Sequence, residues 1–160
     1  MDTSKSVVAK YLRLCWANTS LDCGVAGLLA CRTKAIWLAP KAARAGLCDE
    51  SCLSACPFCD VNTRETMAHM FLHCSAWAVE RAQLLARVIA KARKLRCGGV
   101  ALSDRKVAVV LLGGKVEGRG LKGWGEGKSP LYISVARFLA AIKGRRSAVL
   151  FSKIATAAPT

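Results

Sequence analysis

The sequence has few aromatic residues and no long apolar run. Phe, Trp and Tyr make up 6% of 160 residues, which leaves few side chains on which nucleic-acid bases could stack. The longest apolar stretches, such as VAVVLLGG at 107–114, fall well short of the roughly 20 residues that a membrane-spanning helix needs. The first residues, MDTSKSVVAKYLRLCW, lack the basic-then-apolar layout of a secretory signal. We therefore expect an intracellular protein, nuclear or cytoplasmic, that is not secreted and has no membrane partner.

Acidic residues are also scarce. Ten acids stand against 25 basic residues, which gives a formal net charge of +15. This imbalance says nothing about the fold, but it favours polyanionic partners such as RNA or DNA. Hydrophobic residues make up 53% of the chain, which is enough to form a core. Nine cysteines in a reducing compartment favour thiolates and a metal site over a disulfide framework.

The spacing of the apolar residues predicts a mainly α-helical fold, a small domain built around one Cys3His zinc knuckle. Three segments follow one another along the chain. They are an N-terminal helical segment (1–47), the zinc knuckle with a basic amphipathic helix (48–97), and an apolar segment with a Gly-rich loop and a C-terminal helix (98–160).

Capping residues and helix breakers suggest the helix boundaries. Predicted helices cover 5–17, 25–38, a short stretch from 63, 76–95 and a C-terminal stretch from 130. Asn62 would cap the helix from 63, and Glu65 would complete a capping box. Residues 104–112 fit a strand or a buried helix equally well. The seven glycines of 113–128 indicate a flexible loop or linker.

The stretch CPFCDVNTRETMAHMFLHC, residues 56–74, carries the spacing of a zinc site. Zinc takes four tetrahedral ligands, thiolates at about 2.3 Å and imidazole nitrogens at about 2.0 Å. Cys56 and Cys59 form a C-x2-C pair, and Pro57 restrains the turn between them. His69 on the following helix and Cys74 at its end complete a Cys3His set.

The fourth ligand has alternatives. Five residues span about 140° of an ideal helix, so His69 and Cys74 reach one ion only if the helix loosens or ends near His73. His73 lies one helical turn after His69 and would give a Cys2His2 site instead, and Cys52 is a third choice. Without any metal, the same residues would be core cysteines and two surface histidines. A set of four protein ligands leaves no open position on the ion, so we expect one structural Zn²⁺ and no catalytic role. Glu65 is the nearest acid upstream, but its predicted role in the capping box explains it better than catalysis does.

Basic residues cluster along the helix after Ser75 and near the end of the chain. Arg87, Lys91 and Lys94 share one helix face, opposite much of the apolar stripe, where they could follow a phosphate backbone. The alternative is an ordinary solvated face. Trp77 and Trp124 are candidates for base stacking, although Trp77 is better explained as core. The predicted nucleic-acid-binding residues are Arg81, Arg87, Lys91, Arg93, Lys94, Arg96, Lys143, Arg145 and Arg146.

The zinc motif followed by SAWAVERAQLL resembles the zinc-binding segment near the C-terminus of reverse transcriptases from non-LTR (LINE-type) retrotransposons. The matching positions are Cys56, Pro57, Cys59, Glu65, Thr66, His69 and Cys74. The later pieces VVLLGG (109–114) and VARFLAAIKGRR (135–146) resemble the tail that follows this motif in fungal elements. The resemblance covers roughly residues 40–150.

The resemblance implies zinc and nucleic-acid binding in the service of a larger reverse transcriptase polypeptide. The chain departs from the whole family protein, because it has no Tyr-x-Asp-Asp motif and no acidic set like that of an RNase H or an endonuclease. We therefore expect a nucleic-acid-binding module that is not an enzyme, whether a fragment, a free-standing tail or a host open reading frame derived from one. The alternatives are a protein-interaction module and a non-functional remnant of a retroelement.

Overall fold

The computed structural model describes residues 22–97, 99–116 and 130–153. The fold is mainly helical and ends in a long helix, which confirms the predicted fold class. Within the described residues, two short strands pair antiparallel, with Arg96 opposite Ala101 and Cys97 opposite Val100. The α-helices and strands are α1 (Asp22–Arg32), α2 (Ala39–Arg44), α3 (Ala78–Leu84), α4 (Ala86–Arg93), β1 (Arg96–Cys97), β2 (Val100–Ala101), α5 (Asp104–Leu111) and α6 (Pro130–Leu150).

Short turns of other helix types connect these elements. A 3-10 turn covers Glu50–Leu53, a π-helical turn covers His69–His73, and a second 3-10 turn covers Ser75–Trp77. Among the described residues, no helix is both long enough and apolar enough to span a membrane.

The core is centred on α6, which packs against α1 and α3. Leu28 of α1, Phe71 of the π turn and Phe138 of α6 are all fully buried in it, and the two phenyl rings lie 5.5 Å apart. Trp77 is 1% exposed, so its assignment to the core is confirmed. A smaller apolar cluster joins α2 and the first 3-10 turn to the end of α6; its buried members are Ala39, Ala42, Ala43, Cys48, Cys52 and Leu150.

Several predicted boundaries differ from the structure. The helix expected at 25–38 ends at Arg32, because Lys34 adopts a left-handed conformation with φ of 59°. The long helix expected at 76–95 is divided at the buried Leu85 into α3 and α4. Residues 104–111 form a helix rather than a strand. The helix predicted at 5–17 and most of the Gly-rich loop lie outside the described residues.

The predicted capping box at Asn62 and Glu65 is wrong. Residues 62–66 are not helical, and the helix begins only at Met67. Glu65 is instead 2% exposed and accepts a hydrogen bond of 2.6 Å from the backbone N–H of Ala39. It also forms an ion pair with Arg146. A buried carboxylate needs a partner of opposite charge and hydrogen-bond donors, and these two contacts supply both.

Arg146 is a structural residue, and its assignment to a nucleic-acid-binding surface is wrong. Its side chain is 7% exposed, so a phosphate cannot reach it. Besides Glu65, its guanidinium donates a hydrogen bond of 2.8 Å to the carbonyl oxygen of Trp37 and lies 4.9 Å from the centre of the Phe58 ring. The residue thus joins α6 to two earlier segments of the chain.

Gly24 permits the close approach of α1 and α6. A Cβ at this position would clash with the backbone carbonyl of Ala136. Gly144 lies in the same helix as Ala136, but a Cβ there would meet nothing within 4 Å.

Gly24→Ala should therefore lower the free energy of unfolding by about 1–3 kcal/mol, because the helices must move apart. Gly144→Ala is the control and should raise it by about 0.5–1 kcal/mol, since alanine favours a helix interior. Urea denaturation measures both. Equal stability of the two variants would show that α1 and α6 are not in close contact.

Arg145 and Arg146 form a matched pair for testing the buried ion pair. Arg146→Ala leaves Glu65 buried without its counter-charge and should cost about 3–5 kcal/mol. Arg145 also pairs with an acid, Glu80, but its side chain is 57% exposed, so Arg145→Ala should cost at most about 1 kcal/mol. Urea denaturation of both variants checks this order, and a smaller loss for Arg146→Ala would contradict it.

Candidate metal centre

Four residues from two neighbouring segments meet at one point. Cys56 and Cys59 flank a tight turn that follows the first 3-10 turn. His69 begins the π-helical turn, and Cys74 caps its end. These are the four residues predicted from spacing, and they form a group that could hold a metal ion.

The π turn explains how His69 and Cys74 reach the same point. The N–H of Cys74 donates a 2.8 Å hydrogen bond to the carbonyl oxygen of His69, five residues back. This wider turn brings residues five apart closer to one side than an α-helix would. The helix therefore both loosens and ends at this point, which is the condition that the sequence spacing imposed on a Cys3His set.

Two of the distances between donor atoms are close to those of tetrahedral coordination. The sulfurs of Cys56 and Cys74 are 3.9 Å apart. The sulfur of Cys59 lies 3.4 Å from Nε2 of His69, and the four donor atoms all lie within 4.8 Å of one another. Two thiolates bound to one zinc ion are separated by about 3.8 Å, and a thiolate and an imidazole nitrogen by about 3.6 Å.

Burial favours the uncharged forms of Cys56, Cys74 and His69. It raises the pKa of Cys56 to about 12 and also raises the pKa of Cys74. Backbone amides of Phe58 and Ala76 hydrogen-bond to these two sulfurs and partly offset the effect. Burial lowers the pKa of His69, which favours the neutral imidazole that binds metals. A cation in the site would take the place of the thiol protons.

Two contacts outside the ligand set hold the ligand-bearing turn in place. The hydroxyl of Thr66 accepts a hydrogen bond of 3.0 Å from the backbone N–H of His69. The guanidinium of Arg81, on α3, donates one of 2.9 Å to the carbonyl oxygen of Cys74. Sequence reasoning did not find the role of Thr66, although its position within the ETMAH stretch was a signal. The contact of Arg81 ties the metal centre directly to the helix that follows it.

The alternative fourth ligands lie outside the cluster. His73 is exposed, and its Nε2 lies 2.7 Å from a carboxylate oxygen of Asp104. Cys52 belongs to the smaller apolar cluster. There it contacts Cys48, whose pKa is raised to about 11, first by burial and then by the hydrogen bond with Cys52. The structure therefore favours Cys74 over both alternatives.

The predicted basic residues fall into different environments. Arg87, Lys91, Arg93 and Lys94 are all exposed on or just after α4. Lys143 is exposed and donates a 3.4 Å hydrogen bond to the sulfur of Cys23. The side chain of Arg96 lies outside the described part of the chain.

Two further predicted residues, Arg81 and Arg145, are already engaged within the protein. Arg81 is partly buried at Cys74, and burial lowers its pKa. Arg145 pairs with Glu80 and lies 4.7 Å from the centre of the Trp77 ring. Of the described residues in the predicted set, Arg87 and Lys91 of α4 and the following Lys94 are therefore the best placed to contact a polyanion.

No protein-family model matches the chain, and neither a curated protein nor a solved structure matches it. The resemblance to retrotransposon reverse transcriptases therefore stays a prediction based on the motif residues.

Two single variants test the ligand set. Zn²⁺ titration of the purified, metal-free protein, followed by circular dichroism, should show one equivalent bound. His73→Ala should retain this stoichiometry, because its imidazole points to Asp104. Changes to residues around a ligand set typically weaken metal affinity by about 10–100-fold. Cys74→Ser should weaken zinc affinity by more than this, because it removes a thiolate ligand. Unchanged zinc affinity in Cys74→Ser would exclude Cys74 as a ligand.

Proposed function

We propose that the cluster of Cys56, Cys59, His69 and Cys74 binds one structural Zn²⁺, and that the domain so stabilised binds RNA or DNA through the phosphate backbone. The observation that carries the proposal is the convergence of three sulfurs and one imidazole nitrogen within 4.8 Å. Soft thiolate ligands combined with imidazole in tetrahedral geometry favour zinc over hard cations such as Mg²⁺ and Ca²⁺.

The proposed ion is structural because the protein itself supplies all four ligands. A catalytic zinc keeps one position open for water or substrate and needs an acid or base beside it. Glu65 precedes His69 by four residues, but its carboxylate is engaged by Arg146 and by the backbone of Ala39. It is therefore not free to act as a general base, which supports a binding module rather than an enzyme.

The basic face of α4 supports the nucleic-acid part of the proposal. Arg87, Lys91 and Lys94 are exposed, and within the described residues no acidic side chain forms an ion pair with them. Their positive charge is therefore available to a phosphate backbone. Because α4 follows α3, and Arg81 of α3 contacts Cys74, zinc binding would fix the orientation of this face.

The proposed binding has little sequence preference. Trp77, a candidate for base stacking, is buried in the core and cannot reach a base. Contacts to phosphates position a protein on nucleic acid without reading the bases. We further propose, from the motif residues alone, that the chain acts as the tail of a larger reverse transcriptase polypeptide, with RNA or DNA as the shared partner.

Salt dependence and a pair of double variants test this proposal on the zinc-loaded protein. Affinity for a short duplex should fall steeply between about 50 and 200 mM salt, because phosphate contacts release counterions. The double variant Lys91→Gln, Lys94→Gln should weaken binding and reduce the slope of log K against log salt by about 0.9 per lost contact on B-DNA. Fluorescence anisotropy measures both quantities.

The control is Lys41→Gln, Arg44→Gln, which removes the same charge from the exposed side of α2. It should leave the salt slope nearly unchanged. If the two double variants lost equal affinity for nucleic acid, net charge rather than the α4 face would govern binding. No binding of RNA or DNA by the zinc-loaded protein would instead favour a protein-interaction module.

A further inference from the structure

A cavity of about 680 Å³ lies between α1, the segment just before the π turn, and α5. Its volume falls within the range of about 300–1,000 Å³ that is typical of small-molecule sites. None of the four candidate metal ligands lines it, although Thr66, which accepts the N–H of His69, does.

Apolar side chains make up much of the cavity wall. Met67 and Leu112 are half-buried, Ala108 is buried, and Val109 is 41% exposed. Aliphatic groups of this kind contact the apolar body of a ligand and gain from its removal from water. The wall has no aromatic ring among the described residues, which argues against stacking of a nucleobase.

Positive charge accompanies this apolar wall. Arg32, Lys34 and Arg105 line the cavity, and no Asp or Glu is among its described lining residues. Lys34 and Arg105 are exposed, so an anionic group could approach them from solvent. The apolar wall and the positive charges beside it together match a ligand with an apolar body and an anionic head.

The backbone of Lys34 is left-handed where α1 ends. Its φ of 59° follows the end of α1, where the N–H of Ile36 donates a 3.0 Å hydrogen bond back to the carbonyl oxygen of Ala30. Glycine is the residue that usually takes a left-handed conformation at a helix end. Glycine would therefore be at least as favourable as lysine here, which makes Lys34→Gly a substitution that removes the charge without disturbing the helix end.

We propose that this cavity binds a small amphipathic anion. A carboxylate or phosphate head would contact Lys34 and Arg105, and the apolar body would pack against Met67, Val109 and Leu112. This site is independent of the proposed zinc and nucleic-acid binding.

A fluorescent probe of the same chemistry, 8-anilinonaphthalene-1-sulfonate, tests the proposal on the zinc-loaded, folded protein. The probe should bind with one-to-one stoichiometry and should be displaced by decanoate, decyl phosphate or both. The two competitors distinguish a carboxylate ligand from a phosphate ligand. Decanol has the same apolar body without charge and should displace the probe at least about tenfold less effectively, because hydrogen bonds to charged groups are the stronger ones.

Three variants locate the site. Lys34→Gly should weaken probe binding by about tenfold while the thermal midpoint stays the same or rises, since glycine accepts the left-handed conformation. Val109→Glu should abolish binding, because it places a carboxylate in the apolar wall. Arg105→Gln should weaken probe binding, and Arg87→Gln, the matched loss of one charge on α4, should not.

Three results would overturn the proposal. If decanol displaced the probe as effectively as decanoate does, the positive charges of the cavity would have no role in binding. Probe binding unaffected by Lys34→Gly and Val109→Glu would place the probe elsewhere. Displacement by an acidic peptide with apolar side chains, but by neither small anion, would assign the cavity to a protein partner. Nucleic-acid affinity, measured in parallel, reports separately on α4.

Discussion

The buried ion pair between Glu65 and Arg146 holds the ligand-bearing segment against the rest of the protein. The carboxylate also accepts the N–H of Ala39, and the guanidinium also donates to the carbonyl oxygen of Trp37. Two charges that would be costly to bury alone therefore pair with each other. They also bind one backbone group of the connection between α1 and α2 and one at the start of α2. This contact fixes the start of the segment that carries His69 and Cys74 relative to α6.

The candidate metal centre constrains the other end of the same segment. Residues 65–74 are held at Glu65 by the ion pair, and at His69 and Cys74 by their approach to Cys56 and Cys59. The contact of Arg81 with the carbonyl oxygen of Cys74 then extends this order into α3. A bound ion would replace protons on buried thiols with bonds between the two segments, so metal binding and folding would be coupled.

Three of the ten acidic residues form ion pairs at positions other than the basic residues of α4. Glu65, Glu80 and Asp104 pair with Arg146, Arg145 and His73, respectively. In the described part of the chain, none of these three acids pairs with Arg87, Lys91 or Lys94, so part of the net charge of +15 is exposed there. Positive charge is also present, with apolar groups beside it, at the cavity between α1 and α5. The two basic regions differ in chemistry, and that difference is why they suit different ligands.

The sequence by itself determined three of the candidate ligands, Cys56, Cys59 and His69, together with the helical class and the buried position of Trp77, because these depend on local spacing and on apolar periodicity. Only the tertiary structure decided the role of Glu65, since its partner Arg146 lies 81 residues away and no local pattern connects them. The same holds for the choice of Cys74 over His73, which needed the π turn and the contact with Asp104. Local spacing limits which residues can meet, but the burial of charge and the packing of distant helices decide which of them do.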